Sequence, residues 1–92
     1  MRSSRPIPRN ITKKKEAALL RKLGRTIREN RQIRGVTQLS LGLETGLSKA
    51  YVCDIEKGRR NPSFTVICRI AKAMGMDPAE LLEPILVMKR EK

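Results

Sequence analysis

The chain has 92 residues and a formal net charge of +12 at pH 7, so it has room for one domain and favours a polyanionic partner. Aromatic residues make up 2% of the sequence, which argues against an all-β fold and against a base-stacking surface for single strands. Without histidine, and with only Cys53 and Cys68 as thiols, the sequence predicts no enzyme, no metal site and no cofactor.

The positive charge is concentrated in the N-terminal third. Residues 1–34 hold twelve Lys and Arg against two acidic residues, whereas residues 35–92 hold nine against seven. Residues 1–11 contain two prolines and few apolar side chains, which predicts a disordered basic arm. The charge favours a phosphate-binding footprint, and the alternative is a solvated arm that aids solubility. The lack of a long apolar run predicts a soluble cytoplasmic protein without a membrane span.

Apolar residues spaced three to four apart predict a long helix after Thr12. One helical face is formed by Ala17, Leu20, Leu23 and Ile27. The helix would run to about Ile33 and end before Gly35. Its first turn carries three lysines, at 13–15, at the unfavourable end of the helix dipole. We therefore expect residues 12–18 to fray or to become helical only on binding.

Residues 37–58 predict two short helices joined by a sharp turn. Thr37 and Ser48 are each suited to begin a helix, because a side-chain oxygen can accept a hydrogen bond from a free backbone N–H group. Gly46 can adopt the positive φ that ends the first helix, and Leu47 would fill the angle behind it. The side chains that must meet across the turn are Leu41, Val52 and Ile55. Such a helix pair lays its second helix in the major groove of DNA.

The C-terminal third predicts two further helices and a short tail. Ser63 can cap the first, with Cys68 as a small core residue. Its buried face would consist of Val66, Ile67, Ile70, Ala71 and Met74. Residues 77–80, Asp-Pro-Ala-Glu, combine a cap, a proline at the first helical position and a glutamate three residues after the cap. This pattern predicts a fifth helix that ends at Leu82 before Pro84, followed by an extended apolar segment at 85–88.

Residues 23–82 resemble the phage-repressor and Cro type of helix-turn-helix domain, also called the xenobiotic-response-element family. The residues that carry the resemblance are Ile27-Arg28, Arg31, Gly35, Thr37-Gln38, Leu41, Gly46-Leu47-Ser48, Val52, Ile55-Glu56-Lys57-Gly58, Asn61-Pro62-Ser63, Ile70 to Gly75 and Leu81-Leu82. The resemblance implies an all-α fold, a compact five-helix bundle of the repressor-like DNA-binding type. This chain adds a basic N-terminal extension and a short apolar C-terminal segment. The domain would occupy residues 12–83, with its core at 20–82, and residues 84–92 would form a tail.

The resemblance also implies roles for individual residues. Base-reading positions of the second helix of the pair, the recognition helix, fall on Lys49, Ala50 and Asp54, with Tyr51 beside them. Phosphate contacts fall on Thr37, Gln38, Ser48, Lys57, Arg59 and Arg60. Gln38 would also brace the recognition helix, and Arg31 and Glu56 fall where some family members hold a partly buried ion pair. Gly42 departs from the alanine that the family usually has.

The implied base-reading residues suit different base edges. Lys49 can donate to guanine O6 and N7, Asp54 can accept from the cytosine N4 amine, and Ala50 can lie against a thymine methyl group. Each has an alternative: Lys49 as an ordinary surface lysine, Tyr51 as a packing residue, and Asp54 as a solvent-facing partner of Lys57 three residues on.

These roles predict a sequence-specific regulator of transcription that binds double-stranded DNA. It would act as a repressor, binding a near-palindromic operator as a homodimer with recognition helices ~34 Å apart. Leu39 and Leu43 would face outward on the first helix of the pair, either as tolerated exposure or as a contact for a toxin or polymerase. The alternative function is therefore an antitoxin that neutralises a partner protein and represses its own operon. A third is a nucleic-acid coating protein. The tail at 84–92 is a candidate dimer contact.

Overall fold

The computed structural model describes residues 9–90. It contains α1 (Arg9–Ile33), α2 (Gln38–Thr45), α3 (Lys49–Glu56), α4 (Phe64–Ala73) and α5 (Pro78–Arg90). No strand occurs within this range, so the predicted all-α fold of five helices is confirmed. Helix α1 packs against α3 and α5, α2 packs against α3 and α4, and α4 packs against α5. Helix α3 is therefore held by both α1 and α2.

The predicted starts of α2, α3, α4 and α5 are confirmed. The side-chain oxygens of Thr37, Ser48 and Ser63 each accept a backbone N–H three residues on, at 3.0, 3.0 and 3.2 Å. At the start of α5, Asp77 accepts the Ala79 N–H at 2.9 Å, and Glu80 accepts the Asp77 N–H at 2.8 Å. The two carboxylates thus satisfy backbone donors that the helix itself leaves free.

The turn between α2 and α3 is fixed from several sides. Gly46 has a φ of +79°, which a residue with a Cβ rarely adopts. Leu47 packs against the core behind the turn, and its N–H donates to the Gly42 carbonyl at 2.9 Å. Arg69 of α4 donates to the Thr45 carbonyl at 3.0 Å. The angle between the two helices therefore depends on both local backbone geometry and a contact from α4.

The core lies where all five helices meet. Its buried apolar residues are Leu23, Ile27, Leu41, Val52, Ile55, Val66, Ile67, Ile70, Ala71, Met74, Met76 and Leu81. The predicted contact across the turn and the predicted inner face of α4 are both confirmed. Cys68 differs from expectation, because it is only half-buried at the edge of that face.

Two glycines allow backbones to approach more closely than a side chain would permit. A Cβ on Gly24 of α1 would lie 2.4 Å from the Ile55 carbonyl oxygen and 2.5 Å from that of Glu56. A Cβ on Gly42 of α2 would lie 2.5 Å from the Leu47 carbonyl oxygen. The absence of a side chain at Gly24 and Gly42 therefore sets how deeply α3 is seated against α1 and α2.

The first helix begins earlier than predicted. Residues 9–11, assigned from the sequence to a disordered arm, belong to α1, and residues 12–18 are helical as well; the rest of the predicted arm, residues 1–8, lies outside the described residues. Good helix formers at 13–20 favour continuation of the helix toward the N-terminus. Because the helix begins at Arg9, the lysines at 13–15 lie beyond its first turn, where the unfavourable interaction with the helix dipole has largely fallen off.

The fifth helix ends later than predicted. It continues through Pro84 to Arg90, so the extended segment expected at 85–88 is wrong. A proline inside a helix costs about 3 kcal/mol, because it removes a hydrogen bond and crowds the preceding turn. Leu82 and Ile85, on either side of Pro84, pack against the core. This burial of apolar surface offsets the cost of the proline, and sequence pattern alone does not reveal it.

Candidate nucleic-acid interface

A buried charged network fixes α3 to the two helices before it. Arg31 Nε donates to Glu56 Oε2 at 2.6 Å, and Arg31 Nη2 donates to Oε1 at 3.1 Å. The side chains of Arg31 and Glu56 are only 10% and 3% exposed. Gln38 Nε2 donates to Glu56 Oε1 at 3.0 Å, and Arg31 Nη1 donates to the Val36 carbonyl at 2.8 Å. The two-pronged geometry and the extra bonds provide the compensation that buried charges require.

The outer surface of α3 carries the residues that the resemblance assigned to base reading. Lys49 and Ala50 are exposed in its first turn, whereas Tyr51 and Asp54 are half-buried. Tyr51 also packs against the core from one side. Lys49 and Ala50 are therefore the most accessible of the four positions, and Asp54 lies in the following turn of α3.

Asp54 contacts arginines of the following loop. Its carboxylate oxygens lie 3.9 Å from Arg59 Nη1 and 3.7 Å from Arg60 Nε. The alternative interpretation of Asp54, as a partner of Lys57, is wrong: the loop beyond Lys57 places Arg59 and Arg60 beside the carboxylate instead. Arg60 also lies over the Tyr51 ring, 5.7 Å from its centroid. Arg60 therefore links Tyr51 and Asp54 on the outer surface of α3.

The other candidate phosphate-binding residues lie at helix starts beside this surface. Thr37 and Ser48 are exposed, and each uses its oxygen to accept a backbone N–H, which leaves the hydroxyl proton free to donate. Gln38 is half-buried through its bond to Glu56. Thr37, Gln38 and Lys49 line one open groove between the starts of α2 and α3. Lys57, Arg59 and Arg60 are exposed at the opposite end of α3.

Two residues that position this surface were missed by the sequence analysis. Gly24 lets α1 touch the end of α3, and Arg69 holds the end of α2. An isolated glycine inside a helical pattern was an available signal for close backbone packing. Arg69 carried no such signal, because the neighbouring sequence does not distinguish an arginine that donates to a distant carbonyl from one that is solvated.

The described residues were also compared with the requirements of a metal site and of a membrane span. Between residues 9 and 90 there is no group of three or more Cys, Asp or Glu side chains placed to bind a metal ion. In the same part of the chain, no helix combines the length and the apolar character that crossing a bilayer demands.

Comparison with known proteins gives consistent matches. The family model described as "Helix-turn-helix" matches residues 27–81. The uncharacterized HTH-type transcriptional regulator y4dJ of Sinorhizobium fredii is 35% identical over 66 residues, covering 71% of this chain and 86% of that protein. The immunity repressor protein of Bacillus phage phi105 is 32% identical over 69 residues, covering 75% of this chain but only 48% of the repressor.

The fold also matches solved structures. The restriction-modification controller protein C.AhdI from Aeromonas hydrophila aligns with a TM-score of 0.69 and 38% sequence identity. The alignment covers 71% of this chain and 94% of the controller protein. The phage-repressor resemblance inferred from the sequence is therefore confirmed at the level of both sequence and fold.

Proposed function

Because this chain belongs to the helix-turn-helix family of DNA-binding transcription regulators, which are not enzymes, we propose that it is a sequence-specific repressor. It binds double-stranded DNA as a homodimer in the cytoplasm, and its operator is a near-palindrome. Binding blocks transcription by occupancy of the operator. The match to a phage immunity repressor supports repression as the outcome.

The observation that carries this proposal is the buried network at the base of α3. Three side chains from α1, α2 and α3 meet at Glu56, and the pair formed with Arg31 is nearly excluded from solvent. A helix held this firmly presents its outer side chains in one fixed geometry. Base reading requires such geometry, because hydrogen bonds to base edges depend strongly on distance and angle.

The exposed residues divide between base reading and phosphate binding. Lys49 is an exposed donor for guanine, Ala50 is small enough to lie against a thymine methyl group, and Asp54 is an acceptor for cytosine. Tyr51 lies beside them. Phosphates are contacted by Thr37, Gln38, Ser48, Lys57, Arg59 and Arg60. Arg59 and Arg60 also offset the Asp54 carboxylate, which phosphates would otherwise repel.

Replacing Lys49 with alanine tests the base-reading assignment. We expect the variant to lose roughly 1–3 kcal/mol of binding free energy on the preferred duplex and to relax the preference at one base pair. Competition binding against duplexes that carry each single base change would measure both effects. Lys72→Ala removes an equally exposed lysine from α4 and should change neither. Equal weakening on every sequence would show that Lys49 contacts phosphate only.

Selection of preferred duplexes from a random pool tests the function as a whole. Two inverted half-sites about one helical turn apart would demonstrate dimeric operator recognition. Sedimentation of the complex with the selected duplex should then give two protein chains per duplex. A pool that emerges without any preferred sequence would refute the proposal and favour a coating protein.

A second function is favoured by two exposed side chains of α2. Leu39 and Leu43 are 55% and 76% exposed, as predicted, and lie one helical turn apart. An antitoxin that binds a toxin through this surface would also repress its own operon. Leu43→Ser separates the two functions, because Leu43, unlike Leu39, does not line the groove that holds Thr37, Gln38 and Lys49. The variant should bind the operator normally whether or not the protein is an antitoxin. It should abolish neutralisation of a co-expressed toxin only if the protein is an antitoxin.

A further inference from the structure

A row of arginines on α1 lies outside the two-helix unit formed by α2 and α3. Arg21, Arg25 and Arg28 are all exposed. Their spacings of four and three residues place them on one side of the helix. Together with Lys57 at the end of α3, they line an open groove of about 200 Å³. We call these four residues the α1 basic groove.

Among the described residues, no ion pair neutralises the positive charge of the α1 basic groove. The acidic residue that lines the groove is Glu56, whose side chain is 3% exposed and is already bound by Arg31 and Gln38. Within the described part of the chain, the ion pairs within 4.0 Å are those of Glu56 with Arg31 and of Asp54 with Arg59 and Arg60. None of them includes a member of the groove. Four cations therefore share one surface without an ion-pair partner among the side chains that the structure describes.

The groove is continuous with the loop after α3. The backbone turns there at Gly58, so close to α1 that a Cβ on this glycine would lie 2.9 Å from Arg21 Cγ. Lys57 belongs to the groove on one side of the turn, and the exposed Arg59 and Arg60 follow on the other. The turn at Gly58 thus brings the basic loop after α3 next to the α1 basic groove.

We propose that the α1 basic groove binds the phosphate backbone of duplex DNA that flanks the half-site read by α3. This inference rests on the proposed function. Arg21 and Arg28 are separated by ~10 Å along the helix axis. Successive phosphates of one strand advance by about 3.4 Å along the duplex, so the row can follow on the order of three phosphates. These contacts extend the footprint along the DNA and add affinity without sequence preference.

The proposal is tested with the full chain and two duplexes. One duplex ends at the selected half-sites, and the other carries ten additional base pairs of arbitrary sequence on each side. The test variant combines Arg21→Gln, Arg25→Gln and Arg28→Gln. The control variant combines Lys15→Gln, Lys22→Gln and Lys72→Gln, which removes the same charge outside the groove. Binding constants are measured over a range of salt concentrations, and circular dichroism verifies that both variants are folded.

On the flanked duplex, we expect the test variant to reduce the slope of log K against log salt by up to about 3, since each lost phosphate contact contributes ~0.9. On the short duplex, it should behave like the control variant. Both variants should retain the preferred sequence.

A test variant whose slope equals that of the control on the flanked duplex overturns the inference and leaves the proposed function intact. The inference is also overturned if the test variant loses binding to anionic lipid vesicles or to single-stranded RNA but binds the flanked duplex as the unmodified chain does. That result would favour another polyanion as the ligand of the groove. The proposed function itself fails only if the unmodified chain shows no sequence preference.

Discussion

Replacing Glu56 with alanine is expected to lower the free energy of unfolding by about 3–5 kcal/mol, because it leaves the Arg31 guanidinium buried without its counter-charge. The side chain of Arg31 is 10% exposed, so water cannot easily replace the two bonds that it loses. Gln38 also loses its acceptor. A small domain is stable by only about 5–15 kcal/mol, so the variant is expected to be partly unfolded at moderate temperature.

Urea denaturation followed by circular dichroism measures this effect as a lower midpoint with an unchanged slope. Glu29→Ala is the matched control, because it removes one exposed carboxylate from α1 and should shift stability by less than about 0.5 kcal/mol. The double variant Arg31→Met with Glu56→Leu should recover most of the loss, since replacement of a buried pair by apolar residues is often neutral or stabilising. A loss below about 1 kcal/mol in Glu56→Ala would contradict the role assigned to the pair.

Replacing Gly24 with alanine is expected to destabilise the protein by about 3 kcal/mol, although alanine is the better helix former by about 1 kcal/mol. The new Cβ would lie 2.4 and 2.5 Å from two carbonyl oxygens at the end of α3. Both obstacles are backbone atoms of a packed helix, so no side-chain rotation can relieve the clash. The end of α3 must move away from α1, which would also displace the Arg31–Glu56 pair.

The denaturation midpoint again measures the loss, and the affinity for the selected duplex measures the displacement of α3. Arg25→Ala provides the control on the next residue of α1, with an expected change in stability within about 0.5 kcal/mol. Its loss of DNA affinity should be limited to the flanked duplex. An increase in the stability of Gly24→Ala would show that α1 and α3 are not in the close contact described here.

The starts of the helices could be predicted from the sequence because they depend on neighbours in the chain. Thr37, Ser48 and Ser63 each satisfy a backbone donor three residues away. The position of the turn could likewise be predicted, because Gly46 tolerates the positive φ that ends α2. The inner face of α4 was predicted from the spacing of its apolar residues, since a single helical face suffices to define it.

Parts of the candidate site needed more than local pattern. The pairing of Arg31 with Glu56, 25 residues apart, was expected only through the resemblance to a known family, and the structure describes its geometry. Helical spacing offered Lys57 as an alternative partner for Asp54, but the loop after α3 brings Arg59 and Arg60 closer. Spacing rules describe contacts within a helix and carry no information about where a following loop returns.

The sequence by itself determined the helix caps, the sharp turn, the apolar faces and the concentration of positive charge, because each depends on residue type and short-range spacing. Only the tertiary structure decided that α5 continues through Pro84 and that the arginines of α1 join Lys57 in one groove. It also decided that the missing side chain of Gly24 lets the end of α3 pack closely against α1. These three features arise between segments distant in the chain. The free energy that fixes them is the burial and close packing of one helix against another, which exists only once the helices have assembled.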